Sequence, residues 1–331
     1  MTVLAPPATT PPAPRPRRVA DLATRLGWEA VLFLFTVVAA VIVLVQSDGR
    51  GLGLPFWLNF AATGLLASGF ALSLRTATPN LAVGSLAMLS GLLYADLRAD
   101  DWPGFVAAAI GVAAVTVLGL ILGVVTGLTS TPSWAVSLAG LAVLQAIAFG
   151  VYGPPGVLTQ AGRSETWEAV VWSTVFVLGS LVGAALFLIA PVRRFLSANR
   201  TSGDPASWRP ARLVGAIVGF GGSSLLAGLS GVVLTGYLRV ALPTGDLHRT
   251  LTAVAIALLA GVSIFGRRGG VAGIVLATSL VLLVMHYLRL EGAASWSDAL
   301  VLGLAILGGA VVSWALEKIG GPEPVQEPIS S

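Results

Sequence analysis

From residue 28 to residue 316 the chain repeats one feature: apolar runs close to twenty residues long, separated by short polar or charged stretches. A helix needs about 20 residues to cross the hydrocarbon core of a bilayer. No water is available there to satisfy backbone amides and carbonyls, so a spanning segment must be a helix or part of a closed barrel. Barrel strands alternate apolar and polar positions over about ten residues, and the runs here are continuous and too long for that. The expected fold is therefore all-α, a polytopic transmembrane helical bundle. Its ten spans are expected near 28–46, 55–74, 80–95, 104–128, 133–152, 168–190, 212–238, 250–265, 270–288 and 297–316, the third and eighth short and interrupted.

Composition agrees. Only 10% of residues are charged, 56% are hydrophobic, and the mean hydropathy is +0.89, whereas a soluble domain carries about 25% charged residues. The 40 glycines suit close helix packing in a membrane. There is no cysteine, which excludes disulfides and thiolate chemistry. The basic excess is almost all arginine, with Lys318 the only lysine, and it is spread over short loops. Such spreading orients helices rather than binding nucleic acid. With the amino terminus inside, the inside segments hold 13 of the 19 basic residues, in the sense of the positive-inside rule. The outside loops then hold Arg50, Arg98, Arg163, Arg239, Arg249 and Arg289, and collect Asp96, Asp100, Asp101, Glu165, Glu168, Asp246, Glu291 and Asp298. Residues 1–27 read as a Pro- and Ala-rich disordered cytoplasmic tail, 28–318 as the membrane domain, and 319–331 as a second cytoplasmic tail.

Two spans are broken by their own sequence. In RTATPNLAVGSLAMLSG, starting at Arg75, Pro79 removes a backbone donor and disfavours helix at Thr78. In LAGVSIFGRRGGVAGIVLAT, starting at Leu259, Gly266, Arg267, Arg268, Gly269 and Gly270 separate two short apolar runs. Interrupted hydrophobic segments in corresponding positions of two halves are the mark of a transporter with internal pseudo-symmetry.

These segments carry a family resemblance. Thr78-Pro79-Asn80-Leu81-Ala82-Val83-Gly84-Ser85 resembles the G-I-D-L-S-V-G-S motif of the permease subunits of bacterial ABC importers of the ribose, xylose and galactose type, distant relatives of the branched-chain amino-acid permeases. The run from Ala260 to Gly269 is similar to that family's G-G-T-S-L-F-G-G-x-G motif, and the order of segments matches over about residues 28 to 318. Asn80 stands where the family has Asp, and Ser202 to Pro210 does not match the family's coupling-loop pattern. The resemblance implies a permease domain that forms the pathway for a small polar solute, with a monosaccharide as the expected cargo. It further implies a separate ABC ATPase subunit, a second permease subunit in a homo- or heterodimer, an extracytoplasmic solute-binding protein, and a place in the bacterial cytoplasmic (inner) membrane, surrounded by lipid, with both termini cytoplasmic.

No catalytic constellation, cofactor site or metal site is expected. The chain has no Walker motif, so ATP hydrolysis falls to a partner. His248 and His286 lie far apart in sequence and read as interfacial or loop residues. A charge at mid-membrane is costly, so neutral hydrogen-bonding groups are the expected pathway lining: Asn59, Asn80, Ser85, Ser137, Gln145 and Ser263, with Trp134 as a stacking face. For contact with the ATPase, the polar stretch 191–212 offers Arg194, Arg200, Trp208 and Arg209. The rival readings are a secondary transporter, a membrane enzyme, and a non-transporting scaffold subunit of the same fold. A scarcity of carboxylates within the spans argues against the first.

Overall fold

Helix ends in this chain follow its polar punctuation. The computed structural model describes residues 17–47, 51–129, 131–159, 165–189, 191–192, 195–196, 210–263 and 272–320. Ten helices are described: α1 (Arg17–Gln46), α2 (Leu54–Arg75), α3 (Val83–Ala99), α4 (Gly104–Thr129), α5 (Ser133–Tyr152), α6 (Thr166–Leu188), α7 (Pro210–Leu238), α8 (Asp246–Leu259), α9 (Gly273–Leu290) and α10 (Trp296–Gly320). Eight are long and apolar enough to cross a membrane. The exceptions are α3, with 17 residues, and α8, with 14, the two spans expected to be short. One small element was not anticipated: β1 (Val157–Leu158) pairs antiparallel with β2 (Val240–Ala241), tying the α5–α6 connection to the α7–α8 connection.

Both breaks begin with the same backbone device. After α2, the Ala77 amide donates to the Leu74 carbonyl (2.9 Å) and the Thr78 amide to the Ser73 carbonyl (2.9 Å). After α8, Gly261 donates to Leu258 (2.9 Å) and Val262 to Ala257 (3.1 Å). This is the Schellman ending, which needs a left-handed residue to turn the chain out of the helix. Gly261 supplies it at φ 75°, but Ala77 holds φ 56° with a Cβ attached, at a cost of about 1–2 kcal/mol.

The centre of the bundle is α7, packed against α2, α3 and α4. Small residues permit this closeness. A Cβ on Gly231 would overlap the Ala87 carbonyl of α3, and one on Gly123 would lie 2.9 Å from the Ala216 carbonyl oxygen. Peripheral helices keep apolar faces outward, including Phe33 and Phe35 on α1, Ile121 on α4, and Leu307 and Val311 on α10. Trp57, Trp102, Trp167 and Trp296 are exposed at helix ends, where amphipathic rings favour the membrane–water boundary. The molecule is an all-α polytopic membrane bundle.

Helix α1 packs against α9 and α10 and straddles the second break. Trp28 Nε1 donates to the carbonyl of Leu259, the last residue of α8 (2.9 Å), and Glu29 Oε1 accepts from the amide of Ala272, which precedes α9 (3.2 Å). One orphan carbonyl and one orphan amide are thus satisfied by adjacent side chains.

Two outcomes follow for thermal unfolding of the purified protein. Ala77→Gly relieves the left-handed strain and is expected to stabilise by about 1 kcal/mol. Gly231→Val forces α3 from α7 and is expected to cost about 3 kcal/mol or more. A neutral effect at either position contradicts the packing described.

Candidate functional site

The first break is held by side-chain hydrogen bonds. Thr76 and Thr78 hydroxyls both donate to the Ser73 carbonyl (3.0 and 3.2 Å), and the Ser73 hydroxyl accepts from the Asn80 amide (3.1 Å). Asn80 is fully buried. Its Oδ1 accepts from the Ala82 amide (3.1 Å), and its Nδ2 donates to Ser223 Oγ on α7 (2.8 Å). Ser223 gives its own proton to the Phe220 carbonyl (3.1 Å) and accepts from Asn80. The Asn80 amide thus joins the start of α3 to α7 through both of its ends.

One carboxylate does lie close by, on the other interrupted segment. Asp246 is placed by sequence in an outside loop, but it is buried at the first turn of α8, which starts four residues before the expected 250. Ser85 Oγ donates to its Oδ2 (2.7 Å) and Gln145 Nε2 to its Oδ1 (3.2 Å). A Cβ on Gly84 would overlap the Asp246 carbonyl, so the first turns of α3 and α8 are in direct contact. Two helix N-termini therefore meet at this carboxyl group, where their partial positive charge suits an acidic side chain. Thr250 adds a hydroxyl that accepts from the Gly84 amide (3.2 Å) and donates to the Leu81 carbonyl (3.1 Å).

Beside this junction, α2, α7, α8 and α9 enclose a cavity of about 410 Å³. Phe56, Leu66, Leu234, Leu282 and Met285 form apolar walls, and Asn59, Thr63, Tyr237 and Thr252 contribute hydrogen-bonding groups. His248 and Arg249 enter from α8, and His286 and Arg289 from α9. Phe56 meets the His286 ring edge-on at 6.0 Å. Asn59 Oδ1 accepts from Thr63 Oγ1 (3.2 Å), and Arg289 Nη2 donates to Asp298 Oδ2 (2.8 Å). Volume and mixed lining are those of a small-ligand site. Among the described residues, no three His, Asp or Glu side chains are placed to hold a metal ion.

Of the side chains expected to line a pathway, Asn59 lies in this cavity. Ser85 and Gln145 converge on Asp246, Asn80 turns to Ser223, and Ser137 donates to the Pro79 carbonyl (3.2 Å). Ser263 is buried beside the second break, and Trp134 is exposed at the start of α5. Arg194, Arg200, Trp208 and Arg209 lie outside the described residues. The two histidines, expected to be interfacial or loop residues, line one cavity from two helices. Their only sequence signals were the i, i+3 spacing of His286 and Arg289 and the His248-Arg249 pair, each at the end of a helix that closes on the same side of the bundle.

Comparison with known proteins completes this picture. The chain is 28% identical over 299 residues to a probable ABC transporter permease protein of Sinorhizobium fredii, covering 82% of this chain and 86% of that one. The chain is homologous to sugar ABC permeases. The ribose import permease of Escherichia coli is 24% identical over 75% of this chain and 81% of its own length. The D-allose transport system permease of the same species is 25% identical over 79% and 83%. No family model and no solved structure matches.

Asn80→Ala removes the bonds to Ser223 and to the Ala82 amide and is expected to destabilise by about 2 kcal/mol. Thermal unfolding of the purified protein reads this, and an unchanged midpoint contradicts the geometry.

Proposed function

We propose that this chain is the membrane-spanning permease subunit of an ABC importer, carrying a small polar solute of monosaccharide class. The similarity to sugar permeases over most of both chains carries this reading. The cavity between α2, α7, α8 and α9 supports it as one station of the solute route. It has the volume for one small solute, and Asn59 lies in its wall. Near it, the Ser85–Asp246 bond ties the short helix α3 to the short helix α8, and Gln145 of α5 joins the same carboxylate.

In this scheme the protein supplies shape and hydrogen bonds and a separate ATPase supplies the work. The stretch 191–212 is the proposed docking surface for that ATPase, with Arg194, Arg200, Trp208 and Arg209 as contacts. A second permease subunit, homo- or heterodimeric, completes the pathway, and an extracytoplasmic binding protein delivers solute. Both termini face the cytoplasm, which puts the cavity end of the bundle outside, where solute arrives. Lipid covers the outward apolar faces of α1, α4, α6 and α10. Ion coupling through Asp246 is disfavoured, because both its oxygens are engaged by the fold.

A mild-detergent pull-down from the native membrane, read by mass spectrometry, tests the assignment. An ABC ATPase is expected in stoichiometric amount, and it is expected to be lost when 191–212 is replaced by a Gly/Ser linker in a variant that still inserts. A folded, well-expressed protein that recovers no ATPase sinks the importer reading.

A further inference from the structure

One helix face sets the character of the cavity. Phe56, Asn59, Thr63 and Leu66 of α2 all line it, and their spacing of three and four residues places them on a single face. The middle two are polar, with an apolar side chain about one turn to either side. Charge around them is balanced: Arg289 is paired with Asp298, and Arg249 stands one turn from the buried Asp246. Recognition therefore falls to neutral groups. Thr63 Oγ1 donates to Asn59 Oδ1 (3.2 Å), which fixes the rotation of the amide. The Asn59 Nδ2 then makes no hydrogen bond to the protein among the described residues, so both its N–H donors remain, and the Thr63 oxygen keeps its lone pairs. A solute hydroxyl needs one donor and one acceptor, and adjacent turns of α2 offer both. Thr252 of α8 gives its own proton to the His248 carbonyl (2.8 Å) and can only accept.

We infer that Asn59 and Thr63 form one recognition pair that reads a single hydroxyl of an uncharged solute. Asn59 is the donor, and Thr63 is both the acceptor and the residue that holds the Asn59 amide in place. The inference rests on reading the cavity as a station of the solute route. One hydroxyl takes an amide proton and gives its own to Thr63 Oγ1, so the solute enters the site in one orientation. Thr252 is left to accept from a second hydroxyl. A solute that lacks the first hydroxyl strands an amide donor between Phe56 and Leu66, and a site built to bond a hydroxyl rejects the analogue without it for this reason.

The test uses the full-length protein in phosphatidylcholine nanodiscs, titrated calorimetrically with ribose, allose and glucose and with the monodeoxy analogues of each. At least one parent sugar is expected to bind, and one of its deoxy analogues to bind about tenfold more weakly. In Asn59→Ala that same analogue is expected to bind as well as its parent, with discrimination against the other analogues kept. Thr63→Val, which keeps the shape and removes the hydroxyl, is expected to lose the same discrimination, and Thr63→Ser to keep it. A purely structural role for the pair moves the thermal midpoint of the variants without erasing the preference for one hydroxyl. If Asn59→Ala fails to fold, Thr63→Val carries the same comparison. Unchanged discrimination in both variants overturns the recognition pair while leaving the solute cavity intact. Glucuronate binding more tightly than glucose overturns the uncharged class. Absence of binding by all the sugars overturns the inference, and the permease assignment still stands on co-purification of the ATPase.

Discussion

Two helices of this bundle stop inside it, and each stop releases backbone groups that cannot turn to water. A broken helix in an apolar surrounding is tolerated only where protein satisfies the freed amides and carbonyls. The surrounding architecture is organised around that requirement. The Schellman endings at Ala77 and Gly261 close part of the deficit within the backbone itself. Hydroxyls and amides from Ser73, Thr78, Asn80, Ser223 and Thr250 close more of it around the first break. Trp28 and Glu29 act at the second.

The same requirement accounts for what the middle of the molecule is made of. Polar side chains that resemble a transport lining are largely consumed in holding the breaks together, so their number alone says little about solute. Asn59 differs because it faces a void rather than a backbone gap. The void lies against the first turns of α8, between α2, α7 and α9, while the break lies beyond the other end of that helix.

The all-α bundle, the two short helices and the position of the first break were legible, because apolar run length and proline chemistry are local. The partners of the breaks were not. Ser85 and Asp246 are separated by 161 positions, and nothing local distinguishes a carboxylate that caps a buried helix from one in a loop. Gly245 is left-handed at φ 83°, and the helix begins at once after it. The cavity was hidden for a similar reason. Arg249 and Arg289 were counted as topology signals, a role that arginines at helix ends can fill alongside any other.

Helix α1 has a further implication, for biogenesis. It leaves the ribosome early, yet its packing partners are α9 and α10, and the distant groups that Trp28, Glu29, Thr36 and Gln46 bond all lie beyond residue 258. During synthesis α1 therefore waits beside the growing bundle, solvated by lipid alone, until the last third of the chain has inserted. Closure of the second break is then an end-of-synthesis event. A ribosome that stalls after α7 leaves behind a set of helices in which the first has no neighbour to recognise, a form that membrane quality control can tell from the finished protein.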